Sequence, residues 1–107
     1  MGKKQLRFLK RFEEDLLKGR KTSTLRKGRI EIFEKGEEVE VLAGKKKIGR
    51  AIIKKISFVK FKEIGREEAE QDGFKSRRKL KRMLKRIYGK VSREDEFTKI
   101  EFEMKEE

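Results

Sequence analysis

Apolar residues follow two different rhythms along this chain, and the switches between them predict its elements. Leu9, Phe12, Leu16 and Leu17 recur at helical spacing and stop at Gly19, a suitable residue just past a helix end. Glu13, Glu14 and Asp15 fall early in that helix, where the macrodipole favours acids. A short helix over about 10–18 is therefore expected. Ser23 to Arg26 reads as extended, and 29–35 carries no clear pattern. After a turn at Gly36, Val39 and Val41 alternate with glutamates over 37–42, the signature of a half-buried strand. Ala43-Gly44-Lys45 is a turn. Residues 47–61 are rich in Ile, Val and Phe, and their alternation breaks near Ala51–Ile53, which predicts a long strand with a bulge.

The second half is simpler. A short helix is predicted over 66–72, ended by Gly73. Ser76 is a natural N-cap for a helix running to Tyr88 and ended by Gly89. Leu80, Met83, Leu84, Ile87 and Tyr88 form its apolar stripe. Thr98, Ile100, Phe102 and Met104 alternate with Lys99, Glu101 and Glu103, a terminal strand with one buried face. Helix, strands, helices, strand in so short a chain predict an α+β class. A small, curled, barrel-like sheet with helices at its ends fits this order, and a doubly wound parallel sheet would need more βαβ units.

Composition narrows the chemistry. The 107 residues make one domain, with 34% hydrophobic and 50% charged positions. Eight Phe, with Leu, Ile and Val, must supply most of the core. The chain has no Cys and no His, which removes disulfides, thiolate catalysis, the usual general base and the commonest metal ligands. The carboxylates are scattered among bases, so neither a metal nor any other cofactor is expected. No apolar run is long enough to cross a membrane and the first ten residues lack a signal-peptide core. A cytoplasmic monomer is expected. The Lys- and Glu-rich composition also fits a heat-adapted source.

Charge names the partner. Lys and Arg total 33 against 20 Asp and Glu, a formal charge of +13. Such an excess attracts polyanions, and nucleic acid is the first candidate. It is concentrated in Lys75, Arg77, Arg78, Lys79, Lys81, Arg82, Lys85 and Arg86, a run without one acid. Cations in a first helical turn oppose the dipole, and like charges four apart repel. Helix stability does not account for this arrangement, whereas phosphate contacts would. Acids elsewhere in the fold that pair with these cations are the alternative. Backbone contacts of this kind carry no base information.

The densest chemistry lies in Gly19-Arg20-Lys21-Thr22-Ser23-Thr24-Leu25-Arg26. Along a strand Thr24 and Arg26 share a face while Leu25 points to the core. A turn after Gly19 would bring Lys21 back beside Thr24. With Arg20 and Arg26 nearby, the Lys21 ammonium should be disfavoured, and such a lysine can activate a hydroxyl. Lys21 and Arg26 could instead simply hold a phosphate, with Thr22 and Thr24 donating hydrogen bonds, and spacing alone favours binding over catalysis.

This stretch, with the helix before it, resembles the signature of ASCH domains, relatives of the PUA RNA-binding domain. Its core is Gly-x-Lys-Thr-x-Thr-x-Arg after a short helix. Phe33-Glu34-Lys35-Gly36-Glu37, Glu68-Ala69-Glu70-Gln71-Asp72-Gly73-Phe74, Ile87-Tyr88-Gly89 and Ile100-Glu101-Phe102 are similar to further family features, so the resemblance spans almost the whole chain. It implies a PUA-like pseudo-barrel, mostly antiparallel, with a cleft between the 19–26 segment and the acidic helix. It also implies two functions. One is RNA or nucleotide binding, with Arg20, Thr22, Arg26 and Glu70 as ligand-binding candidates and the 75–86 cations on the phosphates. The other is the metal-free amidohydrolase activity of small bacterial members that deacetylate acetylcytidine. Their Lys, Thr and Glu map onto Lys21, Thr24 and Asp72, the last one methylene shorter than the family's Glu.

Overall fold

The computed structural model describes residues 3–105. Its elements run β1 (Gln5–Phe8), a 3-10 turn (Lys10–Phe12), α1 (Glu13–Leu17), β2 (Ser23–Lys27), β3 (Glu38–Ala43), β4 (Lys46–Lys60), a second 3-10 turn (Phe61–Glu63), α2 (Arg66–Gln71), α3 (Arg77–Tyr88) and β5 (Glu96–Met104). The class is α+β. Five strands in the order β1-β3-β4-β5-β2 form one mixed sheet that curls into a half-barrel. Three of its strand pairs are antiparallel, and β1 runs parallel to β3.

The long strand β4 makes the curl possible. Its first half pairs with β3 and its second with β5. The register shifts opposite Val41/Leu42 and again between Ile53 and Lys55. These two irregularities bracket the break in alternation seen in the sequence. Each bulge sharpens the local twist, so one strand can serve two directions of sheet.

Two apolar clusters follow from the strand period. Residues opposite one another in an antiparallel pair share a face. Thr24 faces Ile100 and Arg26 faces Thr98 on the inner surface, where Leu6, Phe8, Phe12, Val41, Ile53 and Phe102 build the larger core. Leu25 lies opposite Lys99 on the outer surface. There Phe61, Ile64, Ala69, Leu80, Leu84 and Phe97 pack the sheet against α2 and α3. Buried Thr98 is satisfied by accepting from Ile30 N at 2.8 Å and donating to the Gly28 carbonyl at 2.7 Å, which straps the 28–30 loop across the sheet.

Several expectations need correction. No strand is predicted before residue 10, yet Leu6 and Phe8 are buried in β1. A four-residue strand holding two apolar positions among cations is too short for periodicity to register. The helix over 10–18 divides into a 3-10 turn and a five-residue α1, so the helical stripe is not sustained. Leu9 and Leu17 are exposed, and only Phe12 and Leu16 are buried. The final strand buries both faces between Phe97 and Ile100 because α2, α3 and Phe61 cover its outer side. Lys99, expected outside, is buried in an ion pair with Glu68 at 3.0 Å. Ile87, placed in the apolar stripe of α3, is exposed. Among the described residues no helix is long and apolar enough to cross a membrane.

Candidate functional site

The site begins with a fold-back after α1. Gly19 takes a left-handed φ of 75°, and the amides of Arg20 and Lys21 both donate to the Asp15 carbonyl, at 2.9 and 3.1 Å. The chain thereby reverses before β2. It is fixed from the other side by the end of α2, where the Gln71 carbonyl accepts from Thr22 N at 2.6 Å. Gly73, at a φ of 84°, lets α2 stop against this bend. A Cβ there would stand 3.6 Å from the Arg20 carbonyl oxygen and 3.7 Å from Lys21 Cβ. That close approach brings the buried Lys21 ammonium into contact with Asp72 Oδ1.

Lys21 and Asp72 are 3% and 4% exposed, so both are effectively withdrawn from water. The ammonium lies 4.7 Å from the centre of the Phe12 ring and 5.5 Å from that of Phe8. Burial pushes the Lys21 pKa down to about 7 and the Arg26 charge pushes the same way, while Asp15 pulls it up. An ionised Asp72 in contact also pulls it up. The depression was expected from Arg20 and Arg26 together. Arg20 plays no part, because its guanidinium turns outward to Asp15 at 2.9 Å and Glu14 at 3.0 Å.

Arg26 does more than add charge. Its Nε donates to Thr24 Oγ1 at 3.1 Å and its Nη2 donates to the Arg7 carbonyl at 2.6 Å, with the guanidinium 5.2 Å from the Phe8 ring centre. One side chain of an edge strand thus reaches the opposite edge strand across the open seam of the half-barrel. Burial lowers its pKa and the Tyr88 phenol opposes that shift.

A cavity of about 290 Å³ occupies this seam. Lys21, Thr24, Arg26 and Asp72, with Arg7 at the edge strand, supply its polar groups, and Phe8, Phe12, Leu80, Met83, Leu84 and Tyr88 supply much of its apolar wall. This is near the lower end of small-molecule sites, about 300 to 1,000 Å³, which are mostly apolar with a few convergent polar groups. The expected cleft between the 19–26 segment and the acidic helix is therefore altered. From that helix only Asp72, its C-cap, lines the cavity, and β1 and α3 provide the walls. Sequence reasoning missed Arg7 and Phe8 because β1 itself was invisible. It took Tyr88 for core filling.

Other candidates lie elsewhere. Thr22 is exposed, and Glu70 is exposed on α2 outside the cavity. Thr22 borders a wider depression of about 890 Å³ beside α1. Lys21 borders it too, and the other cations there, Lys18, Lys54 and Lys105, are paired with Glu14, Glu103 and Glu38. The smaller cavity is the one that gathers Lys21, Thr24, Arg26 and Asp72 together.

The cations of 75–86 differ from most of the surface. Not one of them forms an ion pair with a described residue, whereas lysines and arginines across the sheet are widely paired. Ser76 Oγ accepts from Lys79 N at 3.2 Å and starts α3 despite three cations in the first turn. Arg77, Arg78, Lys81, Arg82 and Lys85 line a groove of about 680 Å³ with Phe61, Lys62 and Arg93. Lys75, Lys79 and Arg86 are exposed outside it. Burial and the neighbouring Arg77, Lys85 and Arg93 charges lower the Lys81 pKa.

The comparisons agree with this architecture. An ASCH domain crystal structure from Lactobacillus crispatus superposes with a TM-score of 0.75 at 14% identity, covering 86% of this chain and 69% of that one. A protein from Enterococcus faecalis superposes at 0.79 with 14% identity, covering 89% and 67%. The ASCH protein of Zymomonas mobilis superposes at 0.66 with 17% identity, covering 92% and 65%. The chain thus spans about two thirds of these structures, and at such identities the likeness is one of fold. No curated protein matches the sequence. The family model for the ASCH domain matches residues 3–106, which is nearly the entire chain, and the protein belongs to the ASCH domain family.

Proposed function

We propose that this protein binds RNA or a nucleotide, with a nucleoside-sized group in the Lys21–Arg26 cavity and phosphates on α3. The observation that carries this reading is the set of α3 cations left without described carboxylate partners. Concentrating positive charge costs helix stability and is repaid by a polyanion that releases counterions when bound. The cavity complements it. A base has apolar faces for Phe8, Phe12 and Tyr88 and a polar edge for Thr24, Arg26 and Asp72. The prediction is a steep loss of RNA affinity with added salt. Replacing Arg78, Lys81 and Arg82 by Ala should flatten the slope of log K against log salt by about 2, at about 0.7 per lost single-strand phosphate contact. A flat salt dependence in the unmodified protein would refute the reading.

A second reading uses the same cavity for amide hydrolysis of an acylated cytidine, and one observation favours it. Thr24 Oγ1 accepts from Arg26, which leaves its own O–H free to be given up. Neutral Lys21 would take that proton as Thr24 attacks the acyl carbonyl. Arg26 would steady the developing oxyanion, and the proton would pass to the departing amine with Asp72 holding the ammonium in place. Water would then release the acyl group from Thr24. In the same samples, acetylcytidine followed by chromatography separates the readings. Turnover abolished in Lys21→Ala and Thr24→Ala establishes the enzyme, and no product leaves binding alone.

A further inference from the structure

The basic groove beside α3 has two walls, and only one was visible in the sequence. One wall is the cationic flank of α3, where Arg77, Lys81 and Lys85 recur every four residues, about 6 Å apart along the axis. The other is the loop leading into β5, which contributes Arg93, with Lys62 from the 3-10 turn after β4. Lys62 N donates to the Arg93 carbonyl at 3.0 Å, which ties these two segments together. The floor is Phe61, which is 5% exposed and anchored in the outer core. Lys81 and Lys85 lie over its ring at 5.0 and 5.7 Å. That contact holds both ammonium groups at the groove without neutralising them. Lys62 is held by Glu94, whereas Arg93 forms no ion pair with a described residue. Cations thus face each other across a trough built on rigid packing.

We propose that this groove is a separate site for the phosphodiester backbone of an unpaired RNA strand, with Arg93 its principal contact opposite α3. The inference deepens the RNA-binding reading by naming the form of the partner and the second wall. Charge complementarity selects a polyanion, and the periodic cations select one whose charges repeat along a line. Arg77, Arg78, Arg82 and Arg93 offer planar forks that fit phosphate oxygens bidentately. A concave trough receives a flexible strand against both walls. Duplex RNA is a stiff cylinder whose deep, narrow major groove would not admit α3. Phe61 is the one aromatic lining residue and its ring is nearly buried beneath Lys81 and Lys85, and no side-chain amide or hydroxyl lines the trough, so it offers little to read base or sugar. It is also distinct from the Lys21 cavity. Leu80 and Leu84 lie between the two in the outer core.

The test compares the unmodified protein with Arg77→Ala/Arg93→Ala, using fluorescence anisotropy of labelled oligouridine, oligoadenine and a hairpin duplex. Both altered residues are exposed, and unchanged thermal unfolding verifies the fold. The two single strands should bind equally well and more tightly than the duplex. The double variant should lose about tenfold or more in affinity for each and show a salt slope about 1.4 less steep, two contacts at about 0.7. An unchanged slope in the variant, equal or tighter duplex binding, or equal displacement by polyglutamate or by phosphatidylserine vesicles would overturn the proposal. Titration with cytidine keeps the sites apart. Retained cytidine binding in the double variant supports a separate groove, and its parallel loss overturns one. Failure of the unmodified protein to bind cytidine would count against the cavity reading alone.

Discussion

Lys21 concentrates the physical tension of this molecule in one side chain. Its usual pKa of 10.5 drops to about 7 on folding, chiefly through burial. Between those values the unfolded chain holds a proton that the folded chain releases. The cost of burying Lys21 is therefore complete below about pH 7 and fades as pH rises toward 10.5. That cost is on the order of a few kcal/mol, reduced by contact with Asp72. A K21M/D72N variant replaces the pair by neutral groups of similar shape. Compared with it, the unmodified protein should gain stability as pH rises from 7 to 10 in urea titrations. A constant difference across that range would show that Lys21 is not depressed. The cluster of Lys21, Thr24 and Arg26 was legible as a sequence motif because three cations and three hydroxyls are packed into the eight residues 19–26. The burial that sets the Lys21 pKa was not legible, since it comes from Phe8, Phe12 and the end of α2.

At the scale of elements, α3 was the most readable part of the chain. Its cap, apolar stripe and terminal glycine are all local signals, and each falls where the spacing placed it except exposed Ile87. The cap has unusual work to do. Arg77, Arg78 and Lys79 sit where the helix dipole is already positive, so the Ser76 hydroxyl stabilises a first turn that its own residues oppose. Ser76→Ala should lower stability by about 1 kcal/mol, and Ser76→Asp should retain or raise it, read as thermal midpoints. Added salt should shrink the advantage of Asp over Ala, because screening weakens its interaction with the dipole and the cations. The long strand β4 was legible as bent but not as double-duty. Its pattern reports local burial, whereas the choice of partners on each side is made by strands far away in sequence.

For the whole molecule, the decisive feature is an open seam between β1 and β2 at opposite ends of the sheet order. Leu6 fills the core beneath one edge, and Arg26 ties the other edge to it through the Arg7 carbonyl. Leu6→Ala should cost about 2–5 kcal/mol in urea unfolding, the range for a fully buried leucine. It should also weaken cavity ligands, because β1 is a wall of the site; a loss below about 1 kcal/mol would show that β1 is not integral to the fold. By itself, the sequence determined the α+β class, the long bulged strand, the capped basic helix, the 19–26 cluster and the excess of positive charge. These rest on residue type and short spacings, which act within a few turns of chain. Tertiary structure alone decided that β1 exists, that Asp72 meets Lys21, and that Arg93 faces α3 across a groove. It also decided that Arg20, Thr22 and Glu70 stand outside the cavity. Those outcomes depend on pairings between residues tens of positions apart, where the burial of apolar surface chooses the arrangement and no local pattern records the choice.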